Sequence, residues 1–497
     1  MPDLLRANHN GIPVIWCDID VPLTGTLTFG VGMRDEPAHL AGITHLAEHL
    51  IFRAMGDITP LHDGVTSSGT VAFSATGTPD EVAGFLNKLA EVILSPSLTE
   101  QDIQRERQVI EAESPERFGP SAGLLTFRYG LEGVGKSHAG VPTIASISVD
   151  EVQGWIGEWF VSGNARLGFT SQPPPGLEVR LPEGQVPPHR GERRILSAPT
   201  LVPSYKSGVA LSLLVDEHLS PFLRDALDAE LITALRTTSG LIYSIESETT
   251  PTEPGIDQID LVLDPLEEEV AEVVERAVAV IRRVAHDGFS PHSIASAKSV
   301  CLALLGHPSA WCSYVDQVIT AELVGGVAAS PHEWMASCRS IDSATLEASL
   351  RGGLDTLIVA YDQDAELRDG LADELELAVD EPELMNVVDA PRRGPGRNWR
   401  GNWFSINDWV RLDDAVLYEH IFGETRSVLL DDVAVAGRFT DGSLALIDGR
   451  GRDYVIHPIL WRHGWELIEA ILERIPEPRR RDFSWHDRER PRSEAIA

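Results

Sequence analysis

Apolar and polar positions alternate in two registers along the first part of the chain. Short β-rich runs, Val14-Ile15-Trp16 and Thr26-Leu27-Thr28-Phe29-Gly30-Val31, are interleaved with stretches of helical periodicity. This order predicts helices laid on a sheet over residues 1–178. A proline-rich stretch from Pro173 to Pro188 interrupts all periodicity and predicts a linker, placed at 179–205. The pattern then begins again. Gly208-Val209-Ala210-Leu211-Ser212-Leu213-Leu214 predicts a strand, and Ser220-Pro221 opens a helix with a cap residue followed by proline. That helix is expected to reach Thr238, to stop at Gly240 and to hand over to a strand from Leu241 to Ile245. Residues 206–388 therefore read as a second α+β domain repeating the first.

Pro391-Arg392-Arg393-Gly394-Pro395-Gly396 has the composition of a joint, and a linker is expected over 389–405. Short strands dominate beyond it: Val428–Leu430, Val433–Val435, Arg438-Phe439 and, after an Asp441-Gly442 turn, Leu444–Ile447. Leu467, Ile468, Ile471, Leu472 and Ile475 fall on one helical stripe, which predicts a helix capping a small barrel over 406–478. This order resembles bacterial pleckstrin-homology-like domains. The charged tail, 479–497, is expected to be disordered.

With 497 residues, the chain has room for two or three cores. No apolar run is long enough to span a bilayer, and the N-terminus lacks the pattern of a signal peptide, so a cytoplasmic location is expected. A net charge of −35 argues against nucleic acid or anionic lipid as partner and is compatible with a neutral or basic peptide. It is equally compatible with a solvated surface that merely keeps the protein soluble. Cys17, Cys301, Cys312 and Cys338 are scattered and read as buried or free thiols.

His45-Leu46-Ala47-Glu48-His49 places two imidazoles four residues apart with a carboxylate between them. On a helix all three project from one face. Neutral imidazoles suit Zn²⁺, and a catalytic zinc takes three protein ligands and leaves one position open, so a third ligand is needed. Thr99-Glu100-Gln101-Asp102 has a capping-box pattern, and in the helix it starts Glu106, Ile110 and Glu113 share one side, making Glu113 a candidate. The alternative is an amphipathic helix with two histidines at its polar edge. No Gly-x-Ser-x-Gly elbow or convincingly placed cysteine supports nucleophilic catalysis instead.

HxxEH followed by Glu106-Arg107-Gln108-Val109-Ile110 and Glu113 resembles the pitrilysin or insulinase family of metallopeptidases, which includes the mitochondrial processing peptidases, over roughly residues 5–385. The resemblance implies two homologous α/β-sandwich domains, with zinc held by His45, His49 and Glu113, Glu48 as general base and Glu106 as a supporting carboxylate. A solvated helix charge is the competing reading of Glu106. Val161–Ala165 looks like the family's asparagine turn into the last strand of the first domain. Arg236 and Tyr243 resemble the family's arginine–tyrosine pair, which holds substrate and an oxyanion across a closed chamber. The alternative there is a helix-terminal arginine and a tyrosine packed in a sheet. Because many relatives need four such domains, the resemblance implies a homodimer or a heterodimer acting on short or unfolded peptides, including a precursor or leader peptide. A non-catalytic scaffold or partner subunit is the alternative. The spacing from His49 to Glu113 is short for the family, and the family's substrate-binding edge strand is expected at Thr70–Thr76, without its usual asparagine.

Overall fold

The computed structural model describes residues 3–113, 122–136, 143–189, 191, 193–196, 199–204, 208–380, 386–402 and 407–483. The first sheet consists of β1 (Leu5–His9), β2 (Ile12–Trp16), β3 (Thr24–Phe29), β4 (Leu61–Thr66), β5 (Val71–Thr76) and β6 (Ala165–Phe169). Four helices of this part of the chain are α1 (Ile43–Met55), α2 (Pro79–Leu94), α3 (Glu100–Glu113) and α4 (Ala122–Tyr129), and α5 (Val149–Trp159) leads into β6. Asn164 in that turn is fully buried and donates to the carbonyls of Gly30 and Trp159, which fixes the entry to β6.

The second sheet is formed by β7 (Thr200–Ser204), β8 (Val209–Asp216), β9 (Ile242–Glu253), β10 (Ile256–Pro265), β11 (Ile358–Asp362) and β12 (Ala378–Val379). Its helices are α6 (Ser220–Leu231), α7 (Val270–Asp287), α8 (Pro291–Leu305), α9 (Ser309–Val324), α10 (Pro331–Ser340), α11 (Ser343–Gly353) and the short α12 (Leu371–Glu374). The strand orders are β1-β2-β6-β3-β5-β4 and β12-β7-β11-β8-β10-β9. The inner pairs β2/β6 and β7/β11 are parallel, and the strands from β6 to β4 and from β11 to β9 run antiparallel. Five strands of each sheet thus share one α+β topology, with α1 matched by α6 and α3 by α8, while the outermost strands differ, β1 lying antiparallel to β2 and β12 parallel to β7.

Each domain lends a helix to the other. Leu124 of α4 packs into an apolar cluster with Val202, Ala210, Val262, Ile358 and Ala360 on the second sheet. Val315, Ile319 and Leu323 of α9 cover Ile15, Cys17 and Ile19 of the first domain. Arg128 crosses with α4. It is 1% exposed and donates to Gln258 Oε1 at 2.8 Å, the Thr356 carbonyl at 2.7 Å and Ser212 Oγ at 2.9 Å. Burial lowers its pKa to about 10, while burial pushes Asp260, held by Gln258, up to about 7.

The remaining strands are β13 (Asn386–Val387), β14 (Arg397–Arg400), β15 (Trp409–Leu412), β16 (Val416–Ile421), β17 (Glu424–Leu429), β18 (Val433–Arg438), β19 (Leu444–Asp448), β20 (Asp453–Ile456) and β21 (Arg480–Asp482). They form a five-stranded and a four-stranded sheet around one apolar core, closed by α13 (Gly464–Leu472). Residues 480–482, placed by the sequence in the charged tail, pair with β18 in parallel, and Phe483 is buried. The expected tail from 484 onward lies outside the described residues. This third unit is tied to both others. The Leu131 N–H donates to the Gly449 carbonyl, Arg481 pairs with Glu151, and Arg450 pairs with Asp380.

The cysteine expectation is corrected for one pair. Cys301 of α8 and Cys338 of α10 form a disulfide, because the two helices pack side by side, whereas Cys17 and Cys312 are free. Among the described residues no helix is long and apolar enough to cross a membrane.

Candidate metal centre

In α1 the buried residues Ile43, Leu46, Ala47, Leu50 and Ile51 form the stripe that docks the helix, which leaves His45 and His49 on another face. The helix starts after Gly42, whose φ is +92°, a conformation that favours glycine. Its first amide groups are satisfied from a distance, since the buried Glu36 carboxylate accepts from the N–H of Gly42 at 2.7 Å and of Thr44 at 2.9 Å. At the start of α3, Thr99 and Asp102 exchange backbone and side-chain hydrogen bonds as the capping pattern predicts. This sets the helix phase that turns Glu106 and Glu113 toward α1.

His45, His49 and Glu113 converge. The Nε2 atoms of the two histidines lie 3.1 Å apart, and Glu113 Oε2 lies 3.7 Å from His45 Nε2 and 3.5 Å from His49 Nε2. A tetrahedral zinc with bonds of about 2.1 Å separates its ligand atoms by about 3.4 Å, so the donor set fits that ion in type and spacing. Among the described residues this is the one group of three such side chains close enough to hold a metal.

The surroundings orient the donors. Glu106 Oε2 lies 3.3 Å from His49 Nδ1, and with Nδ1–H donating to that carboxylate, the Nε2 lone pair faces the cluster. Arg53, one turn beyond His49, donates from Nη1 to Glu106 Oε1 at 2.7 Å and from Nε to Asp102 Oδ1 at 2.8 Å. The only sequence signal for Arg53 is its i, i+4 spacing from His49, and Asp102 shows in the sequence only as part of the capping pattern.

Glu48 is 5% exposed and accepts a 2.6 Å hydrogen bond from the Thr66 hydroxyl of β4. Burial lifts its carboxyl above the ordinary range. Thr66 and His49 oppose the rise, and Glu113 and Asp63 add to it. Such a carboxylate holds a proton more readily than a free one. Thr66 had no sequence signal.

The expected edge strand is corrected. Thr70–Thr76 contains β5, which is interior and hydrogen-bonded to β3 on one side and β4 on the other. The sheet instead ends at β4, whose Leu61 and Val65 are exposed and whose Gly64 lies against Glu48. Local propensity favours the β-branched and aromatic residues of β5 over the Asp63-Gly64 stretch of β4.

Arg236 and Tyr243 are also brought together. Residues Ile232–Thr238 extend α6 as a π-helix, and the Arg236 guanidinium lies 5.8 Å from the centre of the Tyr243 ring, with both side chains exposed. Among the described residues the pair shares no hydrogen bond or ion pair with the histidine cluster. In the second domain, Glu230 near the end of α6 accepts from the Ser290 N–H, Ser293 Oγ and Arg283, joining α6 to the start of α8 as Arg53 joins α1 to the start of α3.

A family profile described as the peptidase M16 inactive domain matches residues 146–301. An uncharacterized zinc protease of Mycobacterium tuberculosis is 26% identical over 321 residues, covering 54% of this chain and 71% of that protein, and a counterpart in Mycobacterium bovis matches to the same extent. The fold is similar to the crystal structure of a peptidase M16 inactive domain from Pseudomonas fluorescens, with a TM-score of 0.60 and 13% identity, covering 74% of this chain and all of that one. A protease from Helicobacter pylori gives a TM-score of 0.58 at 15% identity, covering 72% of this chain and 99% of that one.

Proposed function

We propose, for a chain that belongs to the pitrilysin-like M16 peptidase family, that it is a zinc-dependent endopeptidase acting on short or unfolded peptides. The observation that carries this reading is the placing of His45, His49 and Glu113 at the spacing of a tetrahedral zinc, with the buried carboxylate of Glu48 on the same helix. A zinc ion there supplies Lewis acidity that polarises a carbonyl and acidifies water. Glu48 then takes the proton of the attacking water and delivers it to the leaving amine, while Thr66 holds its carboxylate in place. Glu106 and Arg53 fix the ring of His49.

The free edge of β4 runs past Glu48, so an extended peptide pairing with its backbone would carry its scissile bond to the site. Arg236 and Tyr243 are assigned to substrate backbone and oxyanion. Since they lie on the other domain, a second chain, identical or related, is proposed to close the chamber and bring them opposite a metal centre. Processing of a precursor peptide belongs to the same proposal.

The word "inactive" in the matching profile favours the scaffold alternative, but the profile covers 146–301 and the metal cluster lies upstream at 45–113. Metal analysis separates the two readings. About one zinc per purified chain, lost on changing His45 or Glu113 to alanine, is expected. A wild-type chain that takes up no zinc would leave only the scaffold.

A further inference from the structure

A second site lies in the third unit, on the outer face of its five-stranded sheet. Val410, Leu412, Leu417 and Val428 point into the core. The alternate residues Arg411, Tyr418 and Ser427 stand in register across β15, β16 and β17. The segment after β13 runs beside this row, with the Pro391 carbonyl accepting from Arg411 Nη1. Between segment and sheet is an open cavity of about 600 Å³, within the range of small-ligand sites.

Arg411 is the unusual group in it. The side chain is buried, with 4% exposure, and its guanidinium lies 4.1 Å from the centre of the Tyr418 ring. Nη1 donates to the Pro391 carbonyl at 3.1 Å, Nε has no acceptor, and among the described residues no carboxylate pairs with it. The other buried arginines differ. Arg107 donates to two backbone carbonyls and Arg128 to three acceptors. A glycine at 394 is what lets the covering loop pass, because a Cβ there would overlap Arg411 Nη1. A buried cation with unused donors is costly unless an anion completes it.

The rest of the lining limits what that anion is. Asp448 is already neutralised by Arg452, through Nε at 2.8 Å and Nη2 at 2.7 Å. Asp389 and Asp432 are exposed at the mouth and would repel a purely anionic ligand. Val388, Val416 and Leu429 add apolar wall. We infer that this cavity binds a short peptide with a free C-terminus: its carboxylate pairs with Arg411, its aliphatic side chains lie on the apolar wall, and its ammonium group meets Asp389 and Asp432. Because Nε is enclosed and Nη1 is engaged by the Pro391 carbonyl, the carboxylate would meet the guanidinium through its Nη groups, sharing or replacing the Pro391 contact. The site stands apart from the metal centre, and the inference does not depend on the peptidase reading.

Titration calorimetry on the full-length Glu48→Gln chain tests it, with trileucine as probe beside its C-terminal amide, its N-acetyl form and inorganic phosphate. Free trileucine should bind. Amidation, or Arg411→Met in the protein, should weaken binding at least tenfold, and N-acetylation or Asp432→Asn should weaken it to a smaller extent. Absence of binding, or binding indifferent to both amidation and Arg411→Met, would overturn the inference. So would phosphate binding as tightly as the peptide with the same dependence on Arg411. The amide comparison on the parent chain decides the matter even if Arg411→Met fails to fold.

Discussion

Gly64 lies on β4 where the strand passes Glu48, and a Cβ added there would overlap Phe52 and come within 2.5 Å of Glu48 Oε1. Ordinary van der Waals contact begins at 3.4 Å, so in Gly64→Ala either the Glu48 carboxylate or the strand must move by about 1 Å. Phe52 is held among Phe73, Phe85 and His62 and has little room to absorb the change. A displacement of this size at a reacting group costs on the order of 100-fold, equivalent to about 2.7 kcal/mol of barrier. The metal donors stand on α1 and α3, away from the added methyl, so zinc should be retained. Overpacking should lower stability by about 1–3 kcal/mol. The assay is kcat/KM on an unstructured fluorogenic peptide, with zinc content and melting temperature measured on the same preparation. Gly84→Ala, on the exposed face of α2 with open space around its Cβ, serves as control and should leave kcat/KM unchanged. Full activity in Gly64→Ala, with normal zinc and folding, would refute the placing of Glu48 against β4.

Thr66→Val removes the 2.6 Å hydrogen bond to Glu48 and should lower kcat by about 3- to 10-fold with zinc content unchanged; loss of zinc instead would contradict the geometry. Arg128→Met should destabilise the chain by about 3 kcal/mol in urea unfolding, because it strands Ser212, Gln258 and the Thr356 carbonyl in the domain interface; a loss under about 0.5 kcal/mol would show that the cation contributes nothing net. Asp260, with its pKa raised from 3.8 to about 7 by burial, favours folding while protonated. Its contribution is present below pH 4 and is lost as pH rises through 7. Asp260→Asn should therefore gain stability relative to the parent chain between pH 4 and pH 8, by of order 2–4 kcal/mol; melting curves with parallel pH dependence would refute this.

The helix carrying His45, Glu48 and His49 was legible from the spacing of those three residues, and the phase of Glu113 followed from the Thr99 cap. The repeated domain was legible from the same order of strands and helices. What stayed hidden depended on contacts between distant segments. Whether 61–66 or 71–76 forms the edge is decided by pairing with β3, which no local pattern encodes. Arg128 reads as an ordinary surface charge until α4 is seen to cross onto the second sheet, and Cys301 and Cys338 are 37 residues apart until α8 meets α10. Thr66 and Arg53 act on residues in other elements, so their roles exist only in three dimensions.

The most direct test pairs the wild-type chain with Glu48→Gln, both assayed for zinc and for cleavage of a pool of unstructured peptides with and without a chelator. Glutamine keeps the shape of the side chain but cannot take a proton as carboxylate does. Zinc in both proteins, chelator-sensitive cleavage by wild type and none by the variant is the predicted result. Equal cleavage by both, or chelator-resistant cleavage by wild type, would contradict the assignment of His45, His49, Glu113 and Glu48 to a zinc peptidase centre.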